Sequence, residues 1–391
     1  MERVVRVHPS KTFHVLPDPV PHIIVDSNKQ LHGWYSGKRE CTAERLLVNP
    51  YNGCGNDCFC CYAKALPGYF QLFRKEGIIT VFRDFGTSVS RQLDSLRVAS
   101  CGYLSPVTDP FQSIDRTYRL SEKITRAFIE RNVPIEFVTK SKVPDPVLDL
   151  MVQQSHSFCQ FSFFTHREDM RLAFMKGGAT CEQLFSEISR CRKRGLWVVC
   201  RIDPIIPKLT DARTDLEYLV RRAHDAGARH IVASVMDVPI RLRSEIWKHL
   251  ENFGDGLVYD LQNLYSEKID STLHAKIEYR KRIFDWLRNC CDKLGMGFAL
   301  CMEYELVDGV PRGLNKEFMN TVNCEGIDVP IYIRHGEKFV PGADCDGRCL
   351  TCTNPRCGIE DLAMGRSADS RKSFSLSDYR RWSQKSFRVD S

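Results

Sequence analysis

The sequence predicts an α/β protein built as a full or partial (β/α) barrel with a small C-terminal cysteine-rich, metal-binding extension. Three observations carry this expectation. Short runs rich in β-branched and aromatic residues alternate with amphipathic stretches of helical period. About seven such runs precede residue 302, and strands separated by helices pair in parallel through right-handed crossovers. Seven strands suit a barrel better than an open sheet. Finally, one cysteine cluster directly follows the first run, and a second lies beyond the last.

In chain order, residues 1–40 are polar, and Pro17, Pro19 and Pro21 break any helix; they read as an extended arm. Arg45-Leu-Leu-Val48 reads as the first strand, followed by a cysteine loop and a short helix towards Ala65. Strands are then expected at Arg97–Tyr103, Ile135–Thr139, Phe158–Phe164, Leu196–Ile202, His230–Ser234 and Gly297–Cys301. Helices are expected at Leu120–Arg131, Asp145–Gln154 with Asp145 as N-cap, Cys181–Arg194, Asp215–Ala226 and Ala275–Leu294. The organisation that follows is an arm over 1–40, the barrel over 41–305, a cysteine-rich auxiliary metal module over 306–365 and a basic tail over 366–391.

Of 391 residues, 43% are hydrophobic and 27% charged, the balance of a globular chain. The N-terminus lacks a long apolar h-region, and no run approaches the ~18 apolar residues of a membrane helix. A cytoplasmic protein with no membrane partner is expected. In a reducing cytosol disulfides are rare, so the 18 cysteines need another explanation. Cys159, Cys200 and Cys301 sit in strand-like runs, and Cys191, Cys290 and Cys291 in helical ones; these read as small core hydrophobes. A net charge of +7 is a mild bias towards nucleic acid or another polyanion.

Cys54, Cys58 and Cys61 form C-x3-C-x2-C. A [4Fe–4S] cluster takes one thiolate per iron, so three cysteines leave one iron open. Half of a zinc site, completed by a pair downstream, and a set of buried reduced thiols are the other readings. The loop follows the first strand, at the carboxyl-end face where α/β folds place their sites.

This spacing resembles the radical S-adenosylmethionine (radical SAM) superfamily. The resemblance implies a [4Fe–4S] cluster with SAM on its open iron, a reducing electron donor such as flavodoxin or ferredoxin, and a 5′-deoxyadenosyl radical that takes hydrogen from a substrate. Asn49-Pro-Tyr-Asn-Gly-Cys54, Ser105-Pro-Val-Thr-Asp-Pro110 with Gln112, Phe137-Val-Thr-Lys140 and Ile202-Asp-Pro-Ile-Ile-Pro207 further resemble the spore photoproduct lyase-related, "DNA repair photolyase" branch over roughly residues 41–240.

By that resemblance Ser105 and Lys140 contact the ribose and carboxylate side of SAM. Asp109, Ser162 and Arg201 face the cofactor with them, unless Asp109 merely caps the next helix. Arg201 lies in an apolar strand and requires an anionic partner, either the SAM carboxylate or Asp203. Tyr62 matches a tyrosine of the lyase's hydrogen-atom relay; otherwise it is a packing aromatic. Where the branch has an aromatic before the third cysteine this chain has Cys60, so Phe59 is expected to pack near adenine. Cys60 is a competing ligand, an inert thiol or a hydrogen donor. The lyase's donor cysteine precedes its Ser-Asp motif closely. Here the nearest is Cys101, which shares a strand face with residues 103 and 105 but sits out of register.

Cys345, Cys349, Cys352 and Cys357 place four thiols in thirteen residues, with Gly347, Pro355 and Gly358 allowing tight turns. Four ligands close a site, either a second [4Fe–4S] cluster or zinc. The tail interleaves arginine with Tyr379 and Trp382, a pattern that suits phosphate contact and base stacking or a plain solvated face. The expected function is radical SAM hydrogen abstraction from a substrate that includes nucleic acid among its candidates, whether photoproduct repair or base modification. The rivals are modification of a peptide or small molecule assisted by an auxiliary cluster, and a non-enzymatic zinc-binding nucleic-acid module.

Overall fold

Seven parallel strands form the wall of an incomplete barrel: β1 (Leu46–Val48), β2 (Gly102–Leu104), β3 (Ile135–Thr139), β4 (Phe158–Phe163), β5 (Trp197–Ile205), β6 (His230–Val235) and β7 (Gly297–Leu300). They hydrogen-bond in that order, and β1 and β7 are the free edges. The structure, a computed structural model, describes residues 3–8, 11–366 and 372–382. Helices α1 (Leu120–Glu130), α2 (Asp145–Met151), α3 (Cys181–Lys193), α4 (Arg213–Ala226) and α5 (Ile277–Lys293) cross between strands on the outside. Each strand alternates its faces. On β4, Phe161 and Phe163 join the large outer core with Phe185 of α3, while Gln160 and Ser162 point into the lumen and meet Arg201 and Lys140.

The lumen is layered. At the amino ends of the strands Cys101, Phe158, Val199, Val232 and Val329 pack together. Above them lies a buried polar layer. Arg45 pairs with Glu136 and Glu325, both at 2.9 Å. Gln160 bonds Glu136 at 2.5 Å and accepts from Arg201 at 3.1 Å. Buried charges are tolerable only when paired in this way.

Several sequence-based expectations are revised. Residues 1–40 are no simple arm. Val4–His8 and Lys11–His14 form a hairpin, and His22–Asp26 pairs in parallel with Ile79–Arg83. The downstream part is a strap across the open edge of the barrel. His32 bridges Leu47 of β1, and the Glu40 carboxylate accepts from the amides of Glu303 at 3.2 Å and Asn315 at 2.7 Å beyond β7. The run Arg97–Tyr103 splits, with Val98–Ala99 leaving the barrel to pair with Tyr332–His335. Asp145 is not an N-cap; Pro144 occupies that position, and the carboxylate of Asp145 reaches Arg190 at 2.6 Å and Arg194 at 2.7 Å. Helices at Tyr69–Glu76 and Phe85–Asp94 fill a stretch for which no element is expected above.

Residues 320–341 form a floor under the barrel. Asn320 accepts from the Phe298 amide, the carbonyls of Cys324 and Glu325 meet the rings of His230 and Trp197, Tyr332 bonds Gln154 and His156, and Arg334 donates to the Leu93 and Leu96 carbonyls. The tail returns as a short helix, Leu376–Arg381, in which Tyr379 is buried and bonded to Ser100 and Glu44, and Trp382 is buried beside it. Their rings are therefore core and not a stacking platform for bases. Ser367–Arg371 and Lys385 lie outside the described residues. Among the described residues no helix is long and apolar enough to cross a membrane.

Candidate active site

The cysteine loop leaves β1 at the carboxyl-end face of the barrel. Its lead, Tyr51–Asn52, pairs antiparallel with Ile79–Arg83, and the Tyr51 hydroxyl donates to Asp115 at 2.5 Å. Gly53 then turns with φ +89°, and a Cβ there would stand 2.8 Å from the Phe73 ring, so only glycine fits. Gln112 holds both sides of the turn, donating to the Gly53 carbonyl at 3.2 Å and accepting from the Gly55 amide at 2.8 Å. Lys64 ties the far side through the Cys58 carbonyl and Asp57.

Asp109 is the hub of the site, and no helix cap. Its buried carboxylate accepts from Asn56 Nδ2 at 2.9 Å, Thr139 Oγ1 at 2.9 Å, and the amides of Phe111 at 2.9 Å and Lys140 at 2.8 Å. Its own amide donates to Cys54 Sγ at 3.4 Å. Asp109 thus joins the cysteine loop to the end of β3 and positions both.

Cys54, Cys58 and Cys61 are free thiols and electrostatic neighbours in sequence order. Burial pushes the Cys58 thiol up to about 12, against the opposing pull of Lys140 and Lys64. Among the described residues no three His, Cys, Asp or Glu side chains form a ready-made set around a single ion. A cluster with one thiolate per iron does not require its ligands to converge on one point. The three sulfurs, with an amide donor at Cys54 and a cation beside Cys58, are donor chemistry that fits such a cluster. Cys60 is buried in the large core beside Cys58 and Cys61.

Above the polar layer, Lys140 Nζ contacts Ser162 Oγ and the Asp203 carbonyl and lies 4.5 Å from the centre of the Phe164 ring. Arg201 finds its anion in Asp203 at 2.6 Å, and Ser234 donates to the same carboxylate at 2.6 Å. Burial alone would raise the Asp203 carboxyl, yet Arg201 and Ser234 hold it below the usual range. Ser105 is the one strand-end residue at odds with its surroundings. It has φ +56°, is 2% exposed, and its Oγ has no hydrogen-bond partner among the described residues. A buried hydroxyl left unmet on a strained backbone needs an explanation, and a ligand is one of them.

Tyr62 donates to the Pro106 carbonyl at 2.9 Å and is 53% exposed, yet burial pushes its phenol above the usual value. Around the phenol stand Cys61, Cys301, Asp203 and Arg201, and the carboxyl-end part of the lumen that they share is the chamber. Cys301 shares that chamber. It is half-buried, close to Arg201 and Asp203, and burial raises its thiol to about 11. The sequence reading took Cys301 for core. Its parity with Gly297 and Ala299, one residue past the end of β7, was the available signal.

Two expected residues stand elsewhere. Cys101 faces the lumen but in the apolar layer at the amino ends, beside Phe158 and Val199, two residues below Tyr103. Phe59 stacks on His249 with ring centres 4.4 Å apart and packs against Phe174 at 5.4 Å, so its ring buttresses the loop from outside. Cys345, Cys349, Cys352 and Cys357 are brought together at the other end of the molecule, around a cavity of about 430 Å³.

No protein-family model matches the sequence. A curated relative, the Radical SAM Nalpha-GlyT isomerase of Pseudomonas phage M6, is 27% identical over 381 residues, covering 90% of this chain and 78% of that protein. Among solved structures, a spore photoproduct lyase variant with bound AdoMet and dinucleoside spore photoproduct superposes with TM-score 0.54 at 13% identity, covering 71% of this chain and 81% of that one. The same lyase complexed with dinucleoside spore photoproduct gives TM-score 0.52 at 13% identity over the same shares.

Proposed function

We propose that this chain, a radical SAM homologue with the lyase's fold, is an enzyme that cleaves SAM reductively and abstracts hydrogen from a modified nucleobase to start an isomerisation. The observation that carries this is the three-cysteine loop on the carboxyl-end face, locked by Asp109 next to the unmet hydroxyl of Ser105. Cys54, Cys58 and Cys61 would hold three irons of a [4Fe–4S] cluster. When bound, that cluster and SAM supply one electron and a carbon radical able to take a hydrogen atom.

The chain's own residues then orient and enclose. Lys140 and Ser105 present a cation and a hydroxyl to SAM, and Ser162 and Asp203 hold Lys140 in place. Arg201, already neutralised by Asp203, keeps the chamber polar without adding net charge. Tyr62, whose phenol stays protonated, faces the chamber as a hydrogen-atom relay. Isomerisation suits such a site because it is redox-neutral: the hydrogen taken is returned, and no external oxidant is needed. The starting electron comes from a reduced flavodoxin- or ferredoxin-type donor. The isomerase relative supports this reading, and we take the GlyT of its name as a glycine-substituted thymine. Photoproduct repair is less well supported, because Cys101 lies below the chamber. The C-terminal cysteines are read as a second metal centre, [4Fe–4S] or zinc.

The test is 5′-deoxyadenosine formation by anaerobically reconstituted, reduced enzyme supplied with glycine-modified thymine DNA, UV-irradiated DNA or unmodified DNA. The reading expects loss of the starting base with the glycine-modified DNA, and 5′-deoxyadenosine well below one per base converted, because the hydrogen it carries is returned to the product. Stimulation by irradiated DNA alone would move the chain to repair, and slow cleavage unaffected by any DNA would turn the search to peptides and small molecules.

A further inference from the structure

We propose that Cys345, Cys349, Cys352 and Cys357 form a structural metal centre that staples the barrel floor, at the opposite end of the barrel from the radical chamber. Placing that chamber at the carboxyl ends rests on the function proposed above; the staple itself does not.

The four cysteines line one cavity of about 430 Å³. Cys345 and Cys357 are electrostatic neighbours, and the Ile331 amide donates to Cys345 Sγ at 3.4 Å. The chain around them has almost no regular structure beyond helical turns at Glu360–Leu362 and Met364–Arg366. It nevertheless closes on itself, through Met364 N to Cys349 O at 3.1 Å and Gly365 N to Cys352 O at 3.0 Å. A loop of this kind, wrapped round a cavity lined with thiols, needs a central ligand to hold it. The four thiols do not yet converge on one point; drawn in around a tetrahedral ion or a cubane, they would leave it no open position.

The loop also sits where a staple would act. Gly347, at φ +77°, lies so close to the floor that a Cβ would stand 1.8 Å from the Val329 carbonyl oxygen. Leu350 N donates to Thr42 O of the strap at 3.0 Å. The centre therefore joins the floor, which contacts the amino ends of most barrel strands, to the strap that covers the open edge. In barrels the amino-end face serves stability and the carboxyl-end face serves chemistry. β4 alone, at six residues, separates the faces by about 20 Å. A centre on the floor reaches neither SAM nor the substrate.

Zinc and [4Fe–4S] present the same four-thiolate demand, and metal analysis tells them apart. The experiment compares the full-length reconstituted protein with Cys352→Ser and Cys349→Ser variants in three readouts: zinc and iron per chain, hydrogen exchange across residues 320–350, and 5′-deoxyadenosine formation. Expected is loss of one zinc, or of one cluster's iron, with exchange across the floor accelerated about tenfold or more, while the other cluster remains and SAM cleavage stays within about twofold. Should the variants not fold, chelator titration of the wild-type protein gives the metal and exchange readouts. Unchanged metal content, or unchanged exchange with turnover lost, would overturn the proposal. If the wild-type protein makes no 5′-deoxyadenosine, the function proposed above fails, while metal content and exchange still decide the staple.

Discussion

Asn56 Nδ2 donates to the Asp109 carboxylate at 2.9 Å, and this bond ties the cysteine loop to the carboxyl end of β3. The same carboxylate satisfies Thr139, Phe111 and Lys140. Asp109→Ala leaves these buried donors unmatched, at a cost of about 2–4 kcal/mol. Urea denaturation should show that loss, and iron content after reconstitution should fall with it. A variant with wild-type stability and iron content would remove Asp109 as the hub.

Ser105→Ala separates a ligand contact from a structural one. The hydroxyl has no hydrogen-bond partner among the described residues, so its removal should leave the melting temperature unchanged or slightly raised. SAM affinity, measured by equilibrium binding to the reconstituted protein, should fall by roughly tenfold, the worth of about one good hydrogen bond. Unchanged affinity would return Ser105 to the role of a turn residue.

Arg45→Met tests the buried layer under the chamber. Arg45 holds Glu136 and Glu325 at 2.9 Å each, and its loss leaves two buried carboxylates facing each other. The expected destabilisation is about 3–5 kcal/mol. It should shrink as pH falls towards about 7, because Glu136, held near 7 with Arg45 in place, is raised further once Arg45 is gone and so takes up its proton earlier. A loss independent of pH would place the cost in packing.

Lys29 carries a pH signature of its own. Burial lowers its amine to about 7 from an ordinary 10.5, while it donates to Asn49 O at 2.8 Å. Between those values the unfolded chain holds the proton and the folded chain does not. Stability therefore rises with pH from 7 towards 10.5 and gains nothing more above that. Lys29→Met should flatten the gain in melting temperature between pH 7 and pH 9 relative to wild type. Parallel profiles would contradict it.

Much of the barrel was legible because its strands are dense β-branched and aromatic runs, such as Trp-Val-Val-Cys-Arg-Ile at 197–202, and because lumen parity places Lys140, Ser162 and Arg201 on one interior surface. Features set by tertiary contact were not. The floor at 320–341 has little period of its own and is defined by the strand ends it meets. Asp109 reads locally as a cap, and its partners lie up to 55 residues away. Cys101 has the right parity and the wrong height, since a strand position fixes the face of a side chain but not which layer holds the chemistry. Phe59 is adjacent to the cysteines, yet it turns to His249, some 190 residues on, in a stretch with no recognisable motif.

The most direct measurement is 5′-deoxyadenosine released from SAM by reduced, anaerobically reconstituted protein, wild type beside Cys58→Ala. The account predicts a brown wild-type protein that makes 5′-deoxyadenosine and a Cys58→Ala variant that makes none. Equal release by the two, or zinc in place of iron at the Cys54–Cys61 loop, would contradict it.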